Sequence, residues 1–292
     1  MNLYYANGGG LGHLTRARAF LHQLGLERET AVLTASEFAR DRRVGGDLRI
    51  IAIERDLARK KRDYQIFLQN VFAENRFEKV FLDSFPAGLV GEFSHFDFGK
   101  AELFYLARLL RWKNYAKFLK SGSPRFKKTF VLEELEKEHR DFVRKHSDEK
   151  IDLKLIYSDQ TTPEDEKLVR RIIAEKSPFW LIVHAGEKRE TLELLRFAGE
   201  MREVERAAVD LVVICPRTIP LENGFDLYPA SRLFPFAERI FTACGFNAAE
   251  QTREFRGKHF FLPFERRYDD QFERARRLRT EAATALSLQT RP

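Results

Sequence analysis

Cysteine and methionine are nearly absent from this chain, with two of each in 292 residues. Cys215 and Cys244 alone cannot build a disulfide framework in a chain this long, which excludes a disulfide-stapled secreted fold. Long apolar runs are missing too. No stretch approaches the ~20 apolar residues of a membrane-spanning helix. The opening MNLYYANGGG has neither the basic nor the apolar region of a secretory signal. The expectation is a cytoplasmic protein with reduced thiols. Short-period repeats and low-complexity tracts are also lacking. With 43% hydrophobic and 13% aromatic residues there is ample core material, so disorder is excluded as the main state. Zinc-ligand spacing is absent among the two cysteines and seven histidines. RRYDD makes a poor acidic motif for a metal diphosphate, so no metal is expected.

What the chain has in excess is positive charge, +7 overall. Such a balance suits an anionic partner: a phosphorylated small molecule, a nucleic acid or an acidic membrane surface. From Lys100 to Lys128 nine Lys/Arg face the single acid Glu102. The segment LFYLARLLRWKNYAKFLK mixes these cations with Phe, Tyr and Trp. That pattern fits peripheral contact with an anionic membrane, RNA held by stacking, or a core strand followed by a basic helix. Nucleic acid is not expected as the partner.

Length favours two domains. Apolar runs alternate with helical patterns: NLYYA, TAVLTA, RIIAI, KVFLD, LFYLA, TFVLEE and DLKLIYSD read as strands. Stretches such as LTRARAFLHQL and LEELEKEHRDFVRKH have helical spacing. The series restarts after QTTPEDEKLVRRIIAEKSP with PFWLIVHAG, VDLVVICPR, RIFTACG and HFFLPF, and a charged helix closes the chain. The expectation is α/β, with two Rossmann-like doubly wound domains over 1–165 and 166–292. Ligands of such folds lie beyond the carboxyl ends of the strands.

Two turns at such strand ends stand out. The first, ANGGGLGHLTRA, follows the first strand. It fits neither a dinucleotide fingerprint, since His13 falls where the third glycine belongs, nor a P-loop, since no Gly-Lys-Ser/Thr follows. Gly9, Gly10 and Gly12 let a backbone approach a ligand, with free N–H groups at a helix start. There the helix dipole favours a neutral imidazole at His13, able to take a proton from a hydroxyl; otherwise His13 caps its helix. Arg16, one turn on, is placed to touch a phosphate. Asp83 ends KVFLD and can orient His13, bind an acceptor or cap the next helix. The second turn lies in TACGFNAAEQTREFRGKHFFLPFERRYDDQ. Gly245 admits a phosphate to the backbone, Asn247 can donate to it, and a polar residue further along that helix can reach ribose. Asp270 and Gln271 offer the acceptor and mixed donor–acceptor groups that sugar hydroxyls require.

Together, GGGLGHLTRA and CGFNAAEQ…GKHFFLPF…DDQFERARRL resemble the GT-B glycosyltransferases, nearest the MurG-like branch. The resemblance implies two domains facing across a cleft, the N-terminal one holding an acceptor and the C-terminal one a nucleotide-sugar. It implies that Gly245, Phe246 and Asn247 lie at the donor diphosphate, Asp270 and Gln271 on the sugar, and His13 at the acceptor as base. The family's ribose-binding glutamate falls on Gln251, with Glu250 one residue early. Its phosphate loop is reduced to HAGEKRE, which keeps Gly186, with His184 and Lys188 as further phosphate contacts. The implied activity is hexosyl transfer from a nucleotide-sugar, UDP-linked, to an unidentified acceptor, without metal or other cofactor, at the inner face of the membrane or in the cytoplasm. The alternatives are a catalytically silent nucleotide-sugar-binding or membrane-associated protein and a nucleotide-sugar hydrolase or epimerase on the same fold.

Overall fold

The computed structural model describes residues 1–120, 122–216 and 223–289. The chain forms two compact units. One comprises Met1–Tyr157 with Arg267–Asp269, the other Ser158–Arg266 with Asp270–Pro292.

The first unit carries a seven-stranded sheet: β1 (Asn2–Tyr5), β2 (Thr30–Thr34), β3 (Arg49–Ala52), β4 (Lys79–Asp83), β5 (Glu102–Ala107), β6 (Phe126–Val131) and β7 (Ser147–Asp152). Their order is β3-β2-β1-β4-β5-β6-β7, and every pairing is parallel. Parallel strands covered on both faces read as unbroken apolar runs, and β1 and β2 are buried throughout. Leu3 and Tyr5 enter the core on one face, while Tyr4 meets Phe20 and Phe81 on the other. Phe20 belongs to the helix Leu11–Gln23, whose Leu14, Ala17 and Leu21 are buried with it at helical spacing.

One expected strand is displaced. The apolar letters of DLKLIYSD predict a strand over 152–159, but β7 occupies Ser147–Asp152, and only Leu155 of the following apolar trio is buried while Ile156 is exposed. Strand β7 is the sheet edge and pairs with β6 alone. Three of its residues in a row, Asp148, Glu149 and Lys150, lie exposed, so it needs no apolar run to announce it.

The second unit repeats the plan with β8 (Phe179–Val183), β9 (Asp210–Ile214), β10 (Gly224–Phe225), β11 (Arg239–Ala243) and β12 (His259–Leu262), ordered β10-β9-β8-β11-β12 and parallel throughout. In each sheet the strand order reverses once, beside β1 and β4 in the first and beside β8 and β11 in the second. The loops leaving those neighbouring strands diverge, opening a crevice at their carboxyl ends. Tyr5 stands opposite Leu82 and Val183 opposite Thr242, so both glycine-bearing turns leave the sheets at these switch points.

Candidate active site

In the first unit Gly10, in extended conformation, precedes the helix, and Gly12 and His13 lie in its first turn. The glycine that His13 requires is Gly8. A Cβ there would stand 2.2 Å from its Cδ2 and 2.6 Å from Nε2. Gly9 is held from outside, its carbonyl accepting a hydrogen bond from Arg55 Nη2 at 2.6 Å. A Cβ on Gly10 would meet nothing within 4 Å.

The imidazole is aimed at β4. Its Nδ1 lies 2.7 Å from Oδ2 of Asp83, with the His13 side chain 14% exposed and the carboxylate fully buried. A carboxylate only accepts, so Nδ1 carries the proton and Nε2 keeps a lone pair. Nε2 has no hydrogen-bond partner among the described residues. Asp83 is bound further by Arg16, whose Nε and Nη2 reach Oδ1 and Oδ2 at 2.7 and 2.8 Å, and by the Ser84 hydroxyl, which donates to Oδ1 at 3.0 Å. Burial pushes the Asp83 carboxyl up, but Arg16 and His13 more than offset it and hold the pKa well below the usual carboxylate range. Burial pushes the His13 imidazole down. Asp83 pulls against that, Arg16 and Arg108 add to it, and the net direction is downward. Arg16 is itself 3% exposed and spends its fork on Asp83 and Ser84.

Sequence reasoning missed three members of this cluster. Ser84 adopts φ 69°, a conformation that costs a non-glycine residue about 1–3 kcal/mol. Its carbonyl accepts from the Tyr105 hydroxyl at 2.9 Å, and its Oγ accepts from Arg108 Nε at 2.7 Å. Arg108 is paired in turn with Asp269. The available signal was position: Arg108 directly follows β5, the strand beside β4, but a basic segment disguised it. Asp269 comes from the far end of the chain and carried no local signal.

In the second unit Gly245 precedes the short helix Phe246–Gln251. Phe246 buries its ring, and Asn247 is half-buried in the first turn. Glu250 is paired with Arg253 Nη2 at 2.5 and 2.7 Å, whereas the half-buried Gln251 side chain forms no hydrogen bond among the described residues. Asp270 caps the last helix, its Oδ1 accepting from the Glu273 N–H at 3.0 Å. Gln271 is buried, accepts from the Phe264 N–H at 3.0 Å, and its Nε2 would lie 3.9 Å from a Cβ on Gly245. The fold thus brings Gly245 and Gln271 together across 26 residues of sequence (271 − 245). Arg274, which the sequence did not single out, donates to the Cys244 carbonyl at 3.0 Å behind the same turn.

The turn after β8 is more constrained than its sequence implies. His184 Nε2 stands 2.8 Å from Glu190 Oε2, and Arg266 grips the same carboxylate. Burial raises the Glu190 carboxyl, yet His184 and Arg266 outweigh it and bring the pKa to about 2. A Cβ on Gly186 would fall 2.4 Å from His184 Nε2 and 2.9 Å from Glu190 Oε2. His184 is therefore engaged within the protein, while Lys188 is exposed.

No cluster of three or more metal-ligating side chains occurs among the described residues. No described helix is long and apolar enough to cross a membrane. In the basic segment Trp112, Tyr115 and Phe126 belong to the core, while Lys113, Lys117 and Lys120 are exposed.

The sequence matches no protein-family model and no curated protein. Its structure has many counterparts. It is similar to the spinosyn rhamnosyltransferase SpnG complexed with thymidine diphosphate, at 13% identity and TM-score 0.54, over 94% of this chain and 83% of that one. A UGT transferase from Siraitia grosvenorii in complex with UDP matches at 12% identity and TM-score 0.55, over 94% and 83%. A protein assigned as a UDP-N-acetylglucosamine 2-epimerase from Listeria monocytogenes matches at 13% and TM-score 0.51, over 86% and 76%. At such identities what is shared is the fold, and the fold of this chain is that of the GT-B glycosyltransferases, with two Rossmann-like α/β domains.

Proposed function

We propose that the chain transfers a hexosyl group from a nucleotide-sugar, UDP-linked, to the hydroxyl of an acceptor, without a metal, as a relative of the MurG-like branch. An N-terminal domain over 1–165 would hold the acceptor, and a C-terminal domain over 166–292 the donor. The observation that carries this reading is the His13–Asp83 pair at the switch point of the first sheet. Asp83 fixes ring and tautomer, and Nε2 is left to accept a proton. As the acceptor oxygen bonds to the anomeric carbon, its proton passes to Nε2. The bond from that carbon to the diphosphate breaks, and its electron pair leaves on the phosphate oxygen. Gly245, Phe246 and Asn247 are assigned to the diphosphate, where that charge develops. Gln251, Asp270 and Gln271 are assigned to ribose and sugar, Gln271 through the amide nitrogen it directs toward Gly245. Contact with an anionic membrane would rest mainly on the exposed lysines, since Tyr115 is buried and Phe118 half-buried between them.

The likeness to the epimerase supports a second reading, rearrangement or hydrolysis of the nucleotide-sugar without an acceptor. Calorimetry with UDP and with thymidine diphosphate, followed by labelled donor and cell extract, separates these. The expected result is release of free nucleoside diphosphate only when extract is present. His13→Ala should lower that release by about 10²–10⁴ while leaving nucleotide affinity intact. Acceptor-independent release would favour the second reading, and failure of both nucleotides to bind would overturn both.

A further inference from the structure

The cluster behind His13 is an arrangement of paired charges. Asp83 on β4 faces the imidazole, Arg16 reaches it from the same helix, and Arg108 stands behind Ser84 at the end of β5. Arg16 Nη2 lies 3.1 Å from Nδ1 itself. Asp269 completes the set on the far side of Arg108. Gly8 and the Phe85 ring, centred 5.9 Å from the imidazole, carry no charge. Both arginines are less than one-tenth exposed, as is Asp83, so water does little to screen them. With the imidazole neutral, Arg16 pairs with Asp83 and Arg108 with Asp269. Adding a proton to His13 would leave a buried excess of positive charge, which is costly.

We propose that Arg16 and Arg108 are positioning residues that lock Asp83 as the orienter of His13 and keep its imidazole neutral, so that Nε2 remains a proton acceptor at neutral pH. A lone His–carboxylate pair tends the other way, because the carboxylate favours the imidazolium. Arg16 cancels that pull while sparing the orientation, since it engages both Asp83 oxygens and leaves Oδ2 able to accept from Nδ1 as well. Ser84 serves the same end. Its hydroxyl donates to Asp83 and accepts from both arginines, which requires the backbone to turn left-handed directly after the strand.

The significance for catalysis rests on His13 being the base proposed above, but the test needs no substrate. The His13 ring is titrated by heteronuclear NMR in the whole chain, its signal assigned by comparison with His13→Gln. Arg16→Met removes one cation from the cluster, and the His13 midpoint should rise by about one pH unit or more. Arg16→Lys, which keeps the charge, should stay near the unaltered protein. Should Arg16→Met fail to fold, Arg108→Met carries the test with the same sign. A midpoint that is unchanged or falls in the folded variant overturns the proposal. Once a donor is in hand, Arg16→Met should be slow at pH 7 and recover as the pH is raised. If the midpoint rises in a chain that transfers no sugar, the transferase reading fails alone. If sugar is transferred but the midpoint does not move, this inference fails alone.

Discussion

Replacing Gly8 with alanine tests the site through a residue that carries no chemistry of its own. The added methyl would stand 2.2 Å from Cδ2 of His13, where ordinary contact begins near 3.4 Å, so the ring must retreat by about 1.2 Å (3.4 − 2.2) or rotate away. The imidazole is the mobile end of its side chain, so it should move rather than the backbone. A displacement of that size cannot be absorbed within the 2.7 Å contact to Asp83. The loss of a hydrogen bond to a charged group costs about 1.5–3 kcal/mol of stability in the first unit. A base turned away from the crevice should slow transfer by about 10²–10⁴, the range for a lost general base. The assay pairs the transfer rate with the His13 NMR signal and with denaturant unfolding. A Gly8→Ala protein with full activity and an unaltered His13 signal would refute the placement of the ring over Gly8.

Acid should weaken the fold well before its carboxylates protonate. Burial holds His139 and His259 at pKa values of about 3, against the ordinary 6.5. The unfolded chain therefore binds protons that the folded one refuses, and stability falls as pH drops from about 6.5 toward 3. Each residue contributes about 2 kcal/mol of loss by pH 5. Denaturant unfolding at pH 7 and pH 5 measures this, and equal stability at both would contradict it. Glu190 acts in a lower window, its contribution complete above about 4.5 and lost as pH falls through about 2. In the second unit, Gly186→Ala should separate His184 from Glu190, because its Cβ would overlap both. Nucleotide affinity measured by calorimetry should then fall if this turn lies at the donor, and unchanged affinity would remove it from the donor site.

Much of this was legible because parallel strands buried on both faces must be apolar throughout, while the helices between them keep a 3.6-residue period. KVFLD and RIFTACG could hardly be anything else, and the run Gly8–Gly10 marks the turn between the first strand and its helix. The edge strand β7 was not legible: an exposed ladder places no demand on its side chains, and the apolar DLKLIYSD beside it drew attention away. In the site, sequence marked His13 and Asp83 and offered their pairing as one of three roles for Asp83. Strand order decided among those roles. Only the reversal beside β1 and β4 sets the turn after Tyr5 against the end of KVFLD. Tertiary structure also changed the meaning of residues already noticed. Arg16 looks from its spacing like a phosphate contact, yet the fold buries it against Asp83. Asp270 reads as a sugar ligand, and its carboxylate also caps a helix. Ser84, Arg108 and Asp269 entered the site only through space, because a buried charge must find its counter-charge wherever the packing brings one, and sequence distance places no limit on that.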